Sequence, residues 1–413
     1  MSEWVEMPLS QLVTFQKGRK VDTSAFPQEG YEAYLGASGI GGISDGFAST
    51  RFAVIAKPDD ILMLWDGERS GLVGFGRQGV VASTVSRLTP NNKVVPKYLY
   101  FALADSFDWI QHRRTGTGVP HVPKDIARIL KLRIPKSTAI QQKISAILST
   151  IDEAIEQTEA LIAKYQKIKA GLMHNLFTRG VLPNGQLRPP REQAPELYRE
   201  TVIGWIPREW DLLVLSDASD WFSGGTPNKA REDWWQGDLP WLSPKDMKSF
   251  FLNDTQLHLT RQAALWGSRI MAKNTVFIVV RGMILAHSFP VVLSGADFSF
   301  NQDIKAVIGR KGVSNRFLAY WFVANTDAIL KKTTESTHGT KRFDLKDLCS
   351  MQIGIPSDVE QQHIIDRLDT LEDKIDMEAL REEKLKLQKL GLMQDLLTGK
   401  VAVGGYKPQM ETA

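Results

Sequence analysis

Hydrophobic and polar positions divide the chain into two kinds of stretch. Over most of its length, short apolar runs alternate with Gly, Pro, Asn and Asp, and Ile61 to Trp65, Val80 to Val85, Val276 to Val280 and Asp303 to Ile308 are predicted as strands. Tyr98 to His112 and Phe317 to Lys331 carry helical spacing instead. Two further segments, 138 to 178 and 358 to 398, contain no proline and one late glycine each, and are predicted as long helices. Along both, a stripe recurs at alternating steps of three and four. It comprises Ile144, Leu148, Ile151, Ile155, Ile162, Tyr165, Leu172 and Leu176 in the first, and Ile364, Leu368, Leu371, Ile375, Leu385, Leu392 and Leu396 in the second. So narrow a stripe is the seam of a coiled coil, since a helix lying on a globule carries a wider apolar face.

The two stripes are one pattern repeated after 220 residues: Gln141-Gln142 falls on Gln361-Gln362, Gly171-Leu172-Met173 on Gly391-Leu392-Met393, and Thr178 on Thr398. Near the other end of each copy, Trp4, Leu9 and Ser10 reappear as Trp210, Leu215 and Ser216. The chain is therefore two copies of a unit made of a mixed α and β globule followed by a long helix, an α+β arrangement. A stripe shared by duplicated helices predicts that they pack on each other, as an antiparallel coiled coil. The expected boundaries are globules at 1–135 and 206–356, helices at 136–181 and 357–400, a linker at 182–205 and a tail at 401–413. Leu182 to Pro207 holds five prolines and reads as extended.

Composition narrows the function by exclusion. With 43% hydrophobic and 24% charged residues over 413 positions, the chain can bury real cores and is neither disordered nor membranous in character. It has no apolar run of the roughly 18 to 20 residues a membrane helix needs and no signal pattern at its start, so it is expected in the cytoplasm, without a membrane partner. A single cysteine, Cys349, and seven scattered histidines give neither a disulfide nor a metal site. No phosphate-cradling glycine loop, methyltransferase signature or nuclease cluster is found. Asp246 with Lys248, and Asp66 with Glu68, are short acidic matches of a kind abundant in any chain, and His287 and His338 read as packing or loop residues. The net charge of +4 admits a polyanion partner, with basic clusters at Lys17, Arg19 and Lys20, at Arg113 and Arg114, at Lys331 and Lys332, and at Lys341 and Arg342.

Several motifs carry a family resemblance. Gly224 to Pro227, Trp241-Leu242-Ser243-Pro244-Lys245-Asp246, Arg281-Gly282-Met283-Ile284 and Phe300-Asn301-Gln302-Asp303 occur in order, followed by an Ile-Pro exit, the Gln-Gln pair, a helix and Leu397-Thr398-Gly399-Lys400. Together they resemble the specificity subunits of type I restriction-modification systems, over nearly the whole chain. The first globule departs most, with Gln16-Lys17-Gly18-Arg19 and Trp65-Asp66-Gly67 where the second has Ser223-Gly224-Gly225-Thr226 and Val280-Arg281-Gly282.

The resemblance implies a DNA-recognition subunit without catalysis of its own. Its globules would be target-recognition domains on double-stranded DNA. Its partners would be two modification subunits and restriction or translocase subunits. The cofactors S-adenosylmethionine, ATP and Mg2+ would belong to those partners, none to this chain. Residue type and loop placement nominate Lys17, Arg19, Lys20, Arg69, Arg77 and Arg113 in the first domain as DNA contacts, and Lys229, Lys245, Lys248, Arg281, Gln302, Lys341 and Arg342 in the second. Helices of about 37 residues, roughly 55 Å long, would set an asymmetric, bipartite site with a non-specific gap. Two other readings are a specificity subunit of a methylation-only system and a coiled-coil interaction scaffold.

Overall fold

A computed structural model describes residues 3–116, 118–335 and 340–403. The chain forms two compact units, one of residues 1–160 with 379–413 and one of residues 161–378. His338 and most of the tail beyond residue 400 lie outside the described residues.

In the first unit a wholly buried apolar strand, Ile61–Leu64, sits inside an antiparallel sheet ordered Val13–Lys17, Val85–Pro90, Ile61–Leu64, Val73–Phe75. A second sheet is ordered Thr23–Ser24, Phe47–Ser49, Tyr31–Leu35, Gly79–Val81, Ile55–Ala56, with Tyr31–Leu35 and Gly79–Val81 parallel. Leu9, Ile61, Leu88, Tyr98 and Phe101 form a core that is completed by Ile144 and Leu148 and by Met393, Leu396 and Leu397.

The second unit repeats this topology. Its main sheet runs Ser219–Ser223, Ile304–Gly309, Val276–Val279, Val291–Ser294, with Phe251–Leu252 added at the edge. Its smaller sheet runs His258–Leu259, Leu239–Leu242, Phe298–Phe300, Ile270–Met271, with Leu239–Leu242 and Phe298–Phe300 parallel. Phe277, Phe298 and Phe317 lie in a core shared with Met173 and Leu176 and with Ile364, Ile365 and Leu368. The duplication seen in the sequence is thus a duplication of strand order and register.

Both long helices are present, Thr138–Thr178 and Asp358–Thr398, each of 41 residues. Every residue of the two stripes is buried or half-buried, whereas Ile168, Met377, Leu380, Leu387 and Leu390, which fall off them, are exposed. Within the first unit Asp152 meets Lys389 at 2.6 Å and Glu159 meets Lys386 at 3.0 Å, and within the second Lys169 meets Glu372.

The repeated Gln-Gln pair has a structural cause. Gln141 is fully buried; its Oε1 accepts from Val95 N at 2.7 Å, and its Nε2 donates to the carbonyls of Pro135 at 2.8 Å and Lys93 at 3.2 Å. Gln361 does the same with Ser314 N at 2.9 Å and the carbonyls of Gly312 at 2.8 Å and Pro356 at 3.0 Å. Each glutamine ties the start of its long helix to the N-terminus of a helix in the globule, Pro96–Asp105 or Asn315–Ala324. The second glutamine of each pair is exposed.

Three expectations are corrected. Val80 to Val85 is not one strand: the chain turns after Val81, Val85 N bonding back to Ala82 O at 2.9 Å, and crosses from one sheet to the other. Gly79–Val81 and the Val85-Ser86 start of the next strand are buried, so the apolar run hides the turn. The predicted helices Tyr98 to His112 and Phe317 to Lys331 break at Ser106 and Asn325, whose side chains bond back to the carbonyls of Ala102 and Trp321 at 2.8 and 2.9 Å. Such local bonds compete with the helix ladder. The segment 182–205 is not an extended linker. Tyr198–Thr201 pairs with Gly204–Pro207 in a hairpin, and Arg188 and Tyr198 are buried at 2% exposure each. Tyr198 donates to Pro189 O at 2.7 Å within the segment, but Arg188 pairs with Glu360, out of reach of a local reading.

Each unit also seats a tryptophan against a helix end. Gly399 and Gly180 hold left-handed φ of 71° and 64°. A Cβ at Gly399 would come within 2.6 Å of Trp4, and one at Gly180 within 2.6 Å of Trp210.

Candidate nucleic-acid interface

At one end of each main sheet three segments converge. In the first unit Val13–Lys17 ends, Ile61–Leu64 runs on into Trp65-Asp66-Gly67, and the loop carrying His121 returns alongside. Val122 N bonds Trp65 O at 2.9 Å and Gly67 N bonds Pro120 O at 2.8 Å. The second unit repeats the frame: Phe343 N bonds Val280 O at 3.0 Å and Gly282 N bonds Lys341 O at 2.9 Å. Isolated bridges pair Asp66 with His121 and Arg281 with Arg342. Gly67 and Gly282 have φ of 105° and 145°, which lets both chains leave the strand sharply.

The register makes the comparison residue by residue. Asp66 corresponds to Arg281, and His121 to Arg342. Lys17 corresponds to Ser223, facing Ser86 as Ser223 faces Lys305. Thr84 corresponds to Asp303, whose carbonyls accept from Trp65 N and Val280 N, both at 2.8 Å. The backbone is shared and the side chains are exchanged.

In the first unit Asp66 is the hub. His121 Nδ1 lies 2.7 Å from its Oδ1 and Lys17 Nζ 3.3 Å from its Oδ2. Lys17 also lies over Trp65, which meets Phe15 edge-on. In the second unit Arg281 is the hub: its Nε donates to Asp303 Oδ1 at 2.6 Å and its Nη2 lies 2.5 Å from the same oxygen. Thr226 Oγ1 donates to Gln302 Oε1 at 2.6 Å, Lys341 pairs with Glu335 at 2.8 Å, and Lys305 Nζ donates to Ser223 Oγ. Burial pushes the Lys305 ammonium below its ordinary pKa, and the hydrogen bond from Lys341 lowers the Glu335 carboxyl.

The residues nominated from sequence thus fall into groups. Lys17, Arg281, Gln302, Lys341 and Arg342 belong to the convergent ends. Arg69 is exposed in the loop that follows Asp66, where Arg114 donates to Glu68 O at 2.7 Å. Arg113 stacks over Trp109 at 4.0 Å. Lys229 is exposed, three residues beyond Thr226. Arg19 and Lys20 line a separate hollow of about 360 Å³ with Asp22, Arg51 and Phe52. Arg77 lies beyond Phe75, which pairs with Ile61 at the far end of the strand from Asp66. Lys245 and Lys248 flank another hollow, of about 280 Å³, beside Asp246 and Asp254. Asp246 accepts from Ser243 N at 2.9 Å, Ser243 Oγ at 2.6 Å and Gln256 N at 3.1 Å, and so holds a turn.

Sequence reasoning missed His121, Asp303 and Lys305, and took Asp66 only as an acidic lookalike. The signal that finds them is the alignment of Gly67 on Gly282. Among the described residues no group of His, Cys, Asp and Glu is placed to hold a metal ion, and no helix is long and apolar enough to cross a membrane.

The family described as Type I restriction modification DNA specificity domain matches this chain twice, over residues 1–166 and 207–387. The chain belongs to the type I restriction-modification specificity subunits. The specificity subunit of the type I enzyme MjaVIII from Methanocaldococcus jannaschii is 24% identical over 424 residues, covering 97% of this chain and 93% of that protein. The EcoR124I/EcoR124II specificity subunit from Escherichia coli is 30% identical over 323 residues, covering 74% and 71%. Among solved structures, the type I S subunit from M. genitalium superposes with a TM-score of 0.62 at 16% identity, covering 95% of this chain and 96% of that one. The fold of this specificity subunit is accordingly that of the family, and the two matched regions fall on the two copies of the repeat.

Proposed function

We propose that this specificity subunit reads an asymmetric, bipartite duplex DNA site and directs adenine methylation or restriction by partner subunits, with no catalysis of its own. The observation that carries the reading is the shared frame with exchanged side chains. Two domains, 1–135 and 206–356, present Asp66 with His121 and Lys17 in one case and Arg281 with Asp303 and Arg342 in the other. Equal scaffolds with unequal donors and acceptors suit two different half-sites. The basic residues around them, Arg69, Arg113 and Lys229, suit phosphates that hold register.

The long helices act as the spacer, paired as an antiparallel coiled coil. Each step forward along the first is matched by a step back along the second, Asp152 with Lys389, Glu159 with Lys386 and Lys169 with Glu372. Their stripes are covered while Ile168, Met377, Leu380, Leu387 and Leu390 beside them are exposed, which also supports pairing. The partners are two modification subunits, which use S-adenosylmethionine, and restriction or translocase subunits, which use ATP and Mg2+; the chain itself binds none of these cofactors.

Reconstitution tests the proposal. Added to its cognate modification subunits, the chain should convert sequence-blind or absent methylation into methylation at one bipartite site, and by itself should turn over neither S-adenosylmethionine nor ATP. Exchanging residues 1–135 for a relative's domain should change one half-site and leave the other half-site and the gap intact. A chimera with both half-sites altered would overturn the modular reading.

A further inference from the structure

Resting on that reading, we propose that one frame position reads a base pair in each domain: Asp66 accepts from the amino group of a cytosine, and Arg281 donates as a two-pronged fork to a guanine. His121 with Lys17, and Asp303, are the positioning residues that aim them.

Three observations converge on this position. It is the same backbone site in both units, where the chain leaves a buried strand through a glycine and is pinned by the returning loop. Its side chains are neither buried structural ions nor loose surface charges: Asp66 is 21% exposed and Arg281 53%, and each is held by a neighbour. Their free atoms are also specific. Asp303 occupies the Nε and Nη2 side of Arg281 through one oxygen, so the outer edge, with one N–H from each terminal nitrogen, remains. That edge matches guanine O6 and N7.

A carboxylate next to DNA phosphates is repelled, so an acid at a DNA-reading surface is favourable only where it faces a donor. Lys17 and His121 each engage a different oxygen of Asp66, which steadies the group and leaves further lone pairs open. In the major groove the donors are the amino groups of cytosine and adenine. Adenine sets its N7 acceptor beside that amino group, which repels a carboxylate, and cytosine does not.

The test selects duplexes from two libraries, each randomised at one half-site, using the assembled complex of this chain with its modification subunits. The wild type is compared with Arg281→Gln, Arg281→Lys, Asp303→Asn, Asp303→Glu and Asp66→Asn, and thermal melts confirm that each is folded. Arg281→Gln should change the accepted base at one position of one half-site, and discrimination there should fall by roughly ten- to a hundredfold, with the other half-site unchanged. Arg281→Lys, which keeps the charge without the planar fork, should lose discrimination similarly and carries the test if Arg281→Gln fails to fold. Asp303→Asn should loosen the same position at unchanged melting temperature, and Asp303→Glu should restore part of it. Asp66→Asn should alter one position in the opposite half-site. Unchanged base preference in these variants, or weakening equal on every sequence, overturns the assignment and leaves the DNA-reading function standing. A wild-type complex that selects no bipartite sequence overturns the function itself.

Discussion

Arg188 and Glu360, 172 residues apart, form a buried bidentate ion pair in the second unit. Arg188 Nη2 donates to Glu360 Oε2 at 2.9 Å and Nη1 to Oε1, and that same Oε1 accepts from Val181 N at 2.8 Å. Their side chains are 3% and 9% exposed. Glu209 supplies a second carboxylate to Arg188 at 3.0 Å.

A buried charge robbed of its partner is costly, so Glu360→Gln should destabilise the second unit by about 3–5 kcal/mol, while replacing both partners by apolar residues of similar size should cost far less. Denaturant unfolding of the single and double variants measures both. A single-variant cost below about 1 kcal/mol, the range of exposed pairs, would show that the Arg188–Glu360 pair does not hold the second unit together.

The two glutamines of each repeated pair should respond oppositely. Gln361→Leu leaves Ser314 N, Gly312 O and Pro356 O without their partner, an expected loss of about 2–5 kcal/mol. Gln362→Leu, at an exposed position, should stay within about 0.5 kcal/mol. Gln141 and Gln142 should repeat the contrast in the first unit, and melting curves of the four variants decide it.

Tyr320 gives a pH signature. Its hydroxyl donates to Asp369 Oδ1 at 2.7 Å, and burial, reinforced by that carboxylate, pushes its pKa well above the ordinary tyrosine value. The folded state keeps the proton where the unfolded chain has lost it, so stability contributed here is intact below about pH 10 and declines as pH rises beyond it. In an alkaline absorbance titration Tyr320 should ionise only with unfolding. Tyr320→Phe should lessen the alkaline decline; an unaltered slope would refute the assignment.

Gly399 and Gly180 should be intolerant of side chains. Alanine at either position meets left-handed backbone and a tryptophan ring at 2.6 Å, and should cost about 1–3 kcal/mol. Gly171 and Gly391, where a Cβ would meet open space, should accept alanine with a small gain in stability, as helix propensity predicts.

What was legible in the sequence was whatever repeats locally. The stripe from Ile144 to Leu176 announces its helix because the covered face returns every three or four residues, and Gln141 falls on Gln361 because both solve one local problem, tying two helix starts together. The ordering of residues 182–205 was not legible, since Arg188 finds its countercharges outside that segment, at Glu209 and at the distant Glu360. The same holds for the candidate interface: Lys17, Asp66 and His121 come from three separated segments, and nothing near any one of them in sequence marks the meeting. Only superposing the second copy, with Gly282 over Gly67, exposes the position.

The seating of Trp4 on Gly399, like that of Trp210 on Gly180, means that each globule begins where a long helix stops. A short peptide joining residue 399 to residue 4 would close the polypeptide into a ring of two globule-plus-helix repeats, and the ring could be opened elsewhere. The exposed turn at Val202 and Ile203 is a natural place for the cut. A permuted chain starting at Ile203 and ending at Val202 should rebuild both units and recognise the same DNA with its half-sites in the same order. Which domain is written first in the gene would then carry no structural information.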